Sequence, residues 1–229
     1  MIKRGKWLPY LFVLLLLVTF WLAKLISDKK EQAVERQEQK VAPILENIIA
    51  TSNGPYQWPL EETGVLQDFA EFGQASLFPN LYHSAVDYFA APGTKVYAIS
   101  DGTVYFSDHE SAYGGVIIIE HTPKGAYSLY GHVSARQWLI EKGASVTKGQ
   151  LIGYIAETNE GYGIGIVPHL HFSIRLGSPS DYPTSGRSNW MTGYTTEHPI
   201  FHQFVDPNKF IAQSRLYFRN QRQDQDATN

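Results

Sequence analysis

The chain has 229 residues, a formal net charge of −3 at pH 7 and an apolar fraction of 43%. This composition is that of a globular protein rather than a disordered one, and it gives no electrostatic support to a nucleic-acid partner. The sequence has no cysteine, which excludes disulfides, a cysteine nucleophile and thiolate metal ligands. Any metal is therefore held by His, Asp or Glu.

A long apolar segment lies close to the N-terminus. It runs from Trp7 to Ile26 and is interrupted only by Thr19 and Lys24. Roughly 20 apolar residues cross the hydrocarbon core of a bilayer, and aromatic residues near both ends occupy the positions of interfacial side chains. No Ala-x-Ala-like cleavage site follows, so we predict a retained transmembrane anchor over residues 1–27. A cleaved signal peptide is the alternative.

The next segment, residues 28–51, is rich in Lys, Glu and Gln, with apolar residues spaced partly as in a helix. It forms either a helical stalk or a solvated linker, and the pattern does not separate the two. The breaker cluster Thr51-Ser52-Asn53-Gly54-Pro55 then marks a domain boundary. We predict one folded domain over residues 52–212.

Within this domain, short β-branched and aromatic runs alternate with Gly and Pro turns, a pattern typical of an all-β domain built from hairpins. One hairpin turn is predicted at Pro123-Lys124-Gly125. The core is predicted over residues 58–177, followed by a long loop over 178–204. Asp206 and Pro207 then predict a helix start, as cap and first-turn residue, before a polar, fraying tail over 213–229. The predicted strands cover residues 95–99, 103–107, 115–121, 126–130, 150–156 and 164–174.

Six of the eight histidines lie between His83 and His171, and the strongest local signal is His169-Leu170-His171. On a strand, residues i and i+2 point to the same face, roughly 6–7 Å apart. Two imidazoles at that spacing can share one small site, in which one binds a metal and the other faces a bound water.

A second element is His83 with Asp87, since imidazole and carboxylate are both good zinc ligands. A straight strand would separate them by about 13 Å, so we expect the chain to bend between them. A third is His132, at the end of an apolar strand. Together these elements supply two imidazoles and a carboxylate for a metal, which with an open position is the pattern of catalytic zinc. Two imidazoles remain for proton transfer.

These motifs resemble those of the lysostaphin-type, or LytM-type, zinc metallopeptidases of peptidoglycan, which are marked by His-x-Gly-x-Asp, Tyr-x-His and His-x-His-Phe. The matching residues are His83 and Asp87, then Tyr130 and His132, then His169, His171 and Phe172. The surrounding segments are also similar, namely Trp58-Pro59-Leu60, Ala91-Pro92-Gly93-Thr94, Asp101-Gly102-Thr103-Val104, Tyr113-Gly114-Gly115-Val116 with His121, Gly143-x-x-Val146-x-x-Gly149-Gln150 and Pro168.

The resemblance implies a β-rich fold of the barrel-sandwich, duplicated hybrid motif type. It also implies that His83, Asp87 and His171 bind one Zn²⁺, while His132 and His169 act on the water and the developing oxyanion. The expected activity is zinc-dependent hydrolysis of peptide cross-links in bacterial peptidoglycan. The alternative is a non-catalytic LytM-like module that activates a separate cell-wall hydrolase.

The expected location follows from this substrate. Cations flank the apolar segment about equally, with Lys3, Arg4 and Lys6 before it and Lys24, Lys29 and Lys30 within or after it, so charge does not assign an orientation. Because peptidoglycan lies outside the cytoplasmic membrane, we expect a single-pass inner-membrane protein with a cytoplasmic N-terminus and a periplasmic domain. The expected partners are the peptide stems of peptidoglycan and the membrane, without nucleic acid.

The sequence departs from the family pattern at four places. Ala85 stands where the family has Gly, and it would be strained if that position required φ above zero. Val167 also replaces a Gly, Ser173 stands where Glu is common, and the loop over residues 158–167 is longer than usual. None of these changes removes a ligand, so we expect them to affect substrate fit and activity rather than metal binding.

Four histidines are left out of this site. His109-Glu110 lacks the second histidine of a helical His-Glu-x-x-His motif, because Tyr113 occupies that position. His121 is predicted to be structural. His198 and His202 have a spacing that could bind a metal on a helix, but solvated loop residues are the simpler interpretation.

Overall fold

The computed structural model describes residues 8–73, 79–181 and 193–228. The chain divides into two compact units, Met1–Ala42 and Pro43–Asn229. Helix α1 (Leu8–Thr51) begins in the first unit and ends in the second. Residues 28–51 are therefore helical, as the stalk interpretation requires.

The apolar part of α1 is long and hydrophobic enough to cross a membrane, with a mean hydropathy of 2.2, and a signal sequence would meet the same criterion. Its large apolar side chains are exposed between Tyr10 and Ile26. The cations Lys3, Arg4 and Lys6 lie outside the described residues.

The second unit is built on antiparallel β-strands, which confirms the predicted β-rich fold. Among the described residues these strands are β1 (Val65–Gln67), β2 (Tyr82–His83), β3 (Val86–Phe89), β4 (Lys95–Tyr97), β5 (Gly102–Glu110), β6 (Gly114–His121), β7 (Ala126–Val133), β8 (Ser145–Val146), β9 (Leu151–Tyr154), β10 (His169–Leu176), β11 (Tyr194–Thr195) and β12 (Phe204–Val205). The main sheet has the order β1-β3-β10-β7-β6-β5-β8, with β12 paired to β10. Two smaller sheets pair β2 with β11 and β4 with β9.

The centre of the main sheet is buried on both faces. Nearly every residue of β6, β7 and β10 is buried, and Val116, Ile118, Tyr127 and Leu129 form one packed cluster. Strands covered on both faces show continuous apolar runs rather than alternation, which explains the sequence of β6. The hairpin predicted at Pro123-Lys124-Gly125 joins β6 to β7.

Three predicted strands are shorter in the structure, and the first of them, predicted over residues 95–99, is limited to β4. The strand predicted over residues 150–156 is limited to β9. The one predicted over 164–174 begins only at His169, because the preceding residues form a turn bonded to another part of the chain. In that turn Tyr162 N–H donates to the Ser111 carbonyl, and Gly163 N–H donates to the Ala112 carbonyl.

The region predicted as a long loop, residues 178–204, contains regular structure. It includes the 3₁₀ turns Pro179–Asp181 and Pro199–His202 as well as β11. Residues 182–192 of this region lie outside the described part of the chain.

A closing helix, α2 (Pro207–Thr228), follows β12. Asp206 caps it as predicted, since its Oδ1 accepts hydrogen bonds from the N–H groups of Asn208 at 2.9 Å and Lys209 at 3.2 Å. The prediction of a frayed tail over 213–229 is wrong, because the chain is helical up to Thr228. Leu, Arg and Gln favour helix here, and Ser214 is buried, where it accepts a hydrogen bond from Tyr56 N–H.

His121, at the end of β6, is buried as the structural interpretation predicts. Its Nε2 lies 2.8 Å from Ser128 Oγ, and its Nδ1 lies 3.3 Å from the Asp101 carbonyl oxygen. Burial lowers the pKa of His121 to about 4, against a smaller opposing effect of Asp101. The folded protein therefore keeps this imidazole neutral under conditions in which the unfolded chain protonates it.

We expect this difference to appear in the pH dependence of stability. The contribution of His121 is fully present above about pH 6.5, the pKa of an unfolded histidine, and it is lost as the pH falls toward 4, by on the order of 3 kcal/mol in total. NMR titration of the imidazole in the folded protein should show it neutral at about pH 5.5. A midpoint near the unperturbed pKa would contradict the buried environment.

Candidate metal centre

The candidate site begins with a break in the chain between His83 and Asp87. His83 ends β2, which pairs with β11, whereas Asp87 lies in β3, which pairs with β10. The chain therefore changes sheets at the intervening residues, and the expected bend is present. It brings His83 Nε2 to within 3.3 Å of Asp87 Oδ1.

The register of β3 against β10 supplies the third group. His171 lies directly opposite Asp87, and its Nδ1 is 2.9 Å from Asp87 Oδ1 and 3.3 Å from His83 Nε2. The three ligand atoms thus form a small triangle. Tetrahedral zinc with ligands at 2.0–2.2 Å places neighbouring ligand atoms about 3.3–3.6 Å apart. The residues present therefore fit a zinc ion with little movement.

Backbone carbonyls orient the imidazoles of His83 and His169. The Nδ1 atom of His83 lies 3.1 Å from the Asp68 carbonyl oxygen, and that of His169 lies 2.8 Å from the Val167 carbonyl oxygen. In each case the carbonyl accepts a hydrogen bond from Nδ1–H, which leaves Nε2 directed toward the site. Such partners fix the tautomer and the ring orientation around a metal centre.

The electrostatics of the site favour a neutral His171 beside an ionised Asp87 carboxylate. Burial alone would raise the pKa of Asp87, but His83 and His171 outweigh it and hold that pKa well below its usual range. Burial lowers the pKa of His171 despite the opposing effect of Asp87. A metal binds deprotonated ligands, so this protonation state is the one that metal binding requires.

His132 reaches the site through an irregularity in β7. The pairing of β6 with β7 matches Gly115 to Val133 and Val116 to Gly131, which leaves His132 as an extra residue, a β-bulge. Its φ is +61°, in the left-handed region that is unfavourable for a residue with a side chain. The bulge directs the imidazole into the site, where its ring centroid lies 4.6 Å from that of His169.

The environment of His132 also favours the neutral form. Burial lowers its pKa to about 3, with further contributions from His169 and His171. Its Nδ1 lies 3.0 Å from the Tyr113 carbonyl oxygen, so its Nε2 is the free atom. His169 completes the group, because its Nε2 lies 3.5 Å from Asp87 Oδ2, the carboxylate oxygen that is not part of the ligand triangle.

Three neighbouring residues were not assigned to the site from the sequence. The Tyr113 ring packs against His132 and His171, with centroids 5.1 and 5.4 Å away, and a Cβ at Gly131 would lie 2.5 Å from it. This contact explains the glycine in Tyr130-Gly131-His132. The Tyr194 ring lies 5.2 Å from that of His83. The many aromatic residues near position 190 were the available signal for Tyr194.

The departures from the family pattern are accommodated locally. Ala85 is fully buried and is not among the residues with positive φ, so the expected strain is absent. Val167 contributes its carbonyl oxygen to His169, which any residue type can do. Ser173 is buried in β10 beyond the site.

The remaining histidines lie elsewhere. His198 Nδ1 accepts a hydrogen bond from Ile200 N–H at the start of a 3₁₀ turn, and His202 Nε2 is 4.0 Å from Glu197 Oε2. His198 therefore caps a short 3₁₀ turn, and His202 is its last residue. This turn is not the α-helix on which an i, i+4 pair would bind a metal. His109 lies in β5.

The fold and the site together define the class of protein. It is a β-rich protein in which two histidines and an aspartate are spaced to hold a metal, and two further histidines lie beside them. Residues 81–182 match the model of Peptidase family M23. This part of the chain is thus a peptidase family M23 domain, and the resemblance to the lysostaphin-type peptidases is confirmed.

Individual relatives cover only part of the chain. It is 33% identical over 103 residues to the DD-carboxypeptidase/endopeptidase Mpg of Neisseria meningitidis, which is 45% of this chain and 22% of Mpg. It is 40% identical over 86 residues to the murein hydrolase activator EnvC of Escherichia coli, or 38% of this chain and 19% of EnvC. It is 28% identical over 142 residues to the peptidoglycan DD-endopeptidase ShyC of Vibrio cholerae, or 61% of this chain and 31% of ShyC.

Among solved structures, the catalytic domain of lysostaphin from Staphylococcus simulans aligns with a TM-score of 0.48 and 23% identity, over 66% of this chain and 92% of that domain. The chain spans less than a third of the length of the three relatives named above.

Proposed function

We propose that this protein is a zinc-dependent endopeptidase that hydrolyses peptide cross-links of bacterial peptidoglycan outside the cytoplasm. One observation carries the proposal. His83, Asp87 and His171 present three ligand atoms within 4.8 Å of one another, at the spacing of a tetrahedral zinc site, while His132 and His169 lie beside them. Three protein ligands with an open position are the pattern of catalytic rather than structural zinc.

Each residue then has a defined task. Zinc held by His83, Asp87 and His171 supplies Lewis acidity toward a water and a peptide carbonyl. His132 and His169 are the groups that move protons, because the Nδ1 atom of each donates to a backbone carbonyl and leaves its Nε2 atom to exchange a proton. The Nε2 atom of His169 does so 3.5 Å from Asp87 Oδ2. One of them takes a proton from the attacking water. The other donates a hydrogen bond to the carbonyl oxygen of the scissile bond and protonates the leaving amine.

The lowered pKa of His132 is relevant to which histidine accepts a proton and which donates one. This imidazole is neutral at pH 7, and the Asp87 carboxylate, which raises the pKa of His132 against the effect of burial, stabilises the charge that His132 acquires when it takes a proton. His169 Nε2 already lies 3.5 Å from Asp87 Oδ2, so His169 has such a carboxylate beside it. Both histidines therefore satisfy the chemical requirement, and both are assigned to proton transfer.

The substrate class is proposed from the relatives. Mpg and ShyC are named for endopeptidase activity, in the case of ShyC on peptidoglycan. Because this chain spans less than a third of those proteins, the bond that they cleave is not assigned to it, and we propose that its own loops beside the site set the bond cleaved. The differences from the family pattern at Val167 and in the loop over residues 158–167 lie next to the site, because the Val167 carbonyl bonds to His169.

The second candidate is a regulatory one, because one relative, EnvC, is a murein hydrolase activator. Such a role needs the fold and a docking surface but no metal ligands. Retention of all five groups, His83, Asp87, His132, His169 and His171, in a single buried cluster favours the catalytic function.

The location that we propose follows from the substrate. The apolar part of α1 anchors the chain in the cytoplasmic membrane as a single span, with the N-terminus cytoplasmic and the M23 domain on the outer side. The alternative of a cleaved signal sequence would release the same domain into the same compartment.

Two substitutions in β10 separate metal binding from catalysis. We expect His171→Ala to abolish zinc binding, because it removes one of three ligands. His169→Ala should retain most of the zinc and lose activity by at least about 100-fold, the usual cost of removing a proton-transfer group. Metal analysis and peptide hydrolysis of both purified variants provide the measurement. Equal loss of zinc in both would show that the pair has been assigned wrongly.

A digestion assay decides between the catalytic and regulatory functions. The full chain, purified in detergent and loaded with zinc, should release cross-linked peptides from isolated peptidoglycan and expose new amino groups. Chelation should stop the reaction and added zinc should restore it, while His169→Ala serves as the matched inactive control. An activator would instead release nothing alone and would stimulate a separate wall hydrolase equally well with or without the His169→Ala substitution.

Fractionation tests the anchor. We expect the mature protein to keep its N-terminus and to sediment with membranes, and protease added from the periplasmic side should digest the M23 domain. Protection of that domain inside the cytoplasm would contradict both the topology and the substrate. A processed, soluble form would contradict only the anchor.

A further inference from the structure

A buried carboxylate outside the metal centre, that of Glu160, takes no part in the steps described above. Glu160 is 8% exposed and lies in the loop that precedes β10. Its Oε1 accepts hydrogen bonds from Ser134 Oγ at 2.9 Å and Glu157 N–H at 3.0 Å, and its Oε2 accepts one from Arg136 N–H at 3.3 Å. A carboxylate is withdrawn from water only when several such donors compensate it, so this group fixes the segments that supply them.

One of these segments leads directly to His132. Ser134 follows His132 by two residues, is itself buried, and is held by a second bond from its N–H to the Tyr154 carbonyl at 2.7 Å. His132 has the left-handed backbone described above, and such a conformation persists only when its surroundings enforce it. Glu160 therefore restrains the chain immediately after the strained residue.

A second connection runs through the turn that carries Tyr113. Gly161, next to Glu160, lies so close to this turn that a Cβ on it would be 2.3 Å from Gly114 N and 2.7 Å from the Ala112 carbonyl oxygen. The Tyr113 carbonyl accepts the hydrogen bond from His132 Nδ1. The loop fixed by Glu160 thus also buttresses the acceptor that orients the imidazole.

We propose that Glu160 is a positioning residue for His132, acting from outside the metal centre through Ser134 on one side and through the Tyr113 turn on the other. Its carboxylate holds Ser134 and also holds the loop that packs against the Tyr113 turn, and each of these restrains His132. The kinetic consequence rests on the proposed function, whereas the consequence for the geometry of His132 does not.

Two variants test the positioning role on the zinc-loaded full chain in detergent. In Glu160→Gln, an NH₂ group replaces one carboxylate oxygen. This new donor then faces groups that themselves donate, namely Ser134 Oγ, Glu157 N–H or Arg136 N–H. Ser134→Ala removes the principal donor and leaves the charge in place, so it carries the test if the first variant folds poorly. Glu157→Gln makes the same chemical change three residues away on an exposed side chain and is the matched control.

The readout is NMR of ¹⁵N-labelled histidine. In Glu160→Gln and Ser134→Ala we expect the Nδ1 proton of His132 to exchange with solvent about tenfold faster or more, as expected for a weakened hydrogen bond. The Nδ1 proton of His83, bonded to the Asp68 carbonyl, and the zinc content should be unchanged. An unaltered His132 signal in both variants, or parallel loosening of His83, would overturn the proposal.

If the chain hydrolyses peptidoglycan, the same variants should lower kcat about tenfold with little change in KM, because substrate contacts are untouched. If the wild-type chain does not hydrolyse it, the proposed function fails while the NMR result still decides the role of Glu160.

Discussion

The buried carboxylate of Asp87 is the constraint on which the candidate site depends. Asp87 is 5% exposed, and its two oxygens face three imidazoles, those of His83, His169 and His171. A buried charge without partners costs several kcal/mol, so the strands that carry these groups are held in one arrangement. The register of β3 against β10 and the break after His83 bring these groups together. The same arrangement provides the ligand triangle that fits zinc.

Around this charge, backbone carbonyls orient the imidazoles. Asp68, Tyr113 and Val167 each contribute a carbonyl oxygen to an Nδ1 atom. All three carbonyls belong to irregular segments beside the strands rather than to the strands that bear the histidines. Because a carbonyl is present in every residue, the replacement of glycine at position 167 leaves the bond to His169 intact. The fold can therefore vary its loops while it preserves the orientation of these imidazoles.

The local strain at His132 fits this division between regular strands and supporting loops. A regular strand would alternate its side chains between the two faces of the sheet, whereas the bulge in β7 inserts one residue and redirects its imidazole. Bulges and left-handed residues are found beside active sites because they re-aim a side chain at the expense of local stability. Here the cost is offset by packing of the Tyr113 ring and by the buried hydrogen bonds of Glu160. Stability in this part of the domain and the geometry of the site are therefore linked.

The sequence by itself determined the candidate residues of the site and several local elements. The His and Asp motifs identified the candidate ligands, and the absence of cysteine restricted the ligand types. The Pro123-Lys124-Gly125 turn and the Asp206 cap could be predicted because turns and caps depend on a few neighbouring residues.

Other features were decided only by tertiary structure. The late start of β10 depends on hydrogen bonds to residues 111–112, about 50 residues away in the chain, and the helical structure through Thr228 extends a helix whose start is packed against the domain. The bulge at His132, the contact of Tyr194 with His83 and the burial of Glu160 join segments that are distant in sequence. No local pattern encodes them, because their free energy comes from contacts that exist only once the sheet has formed.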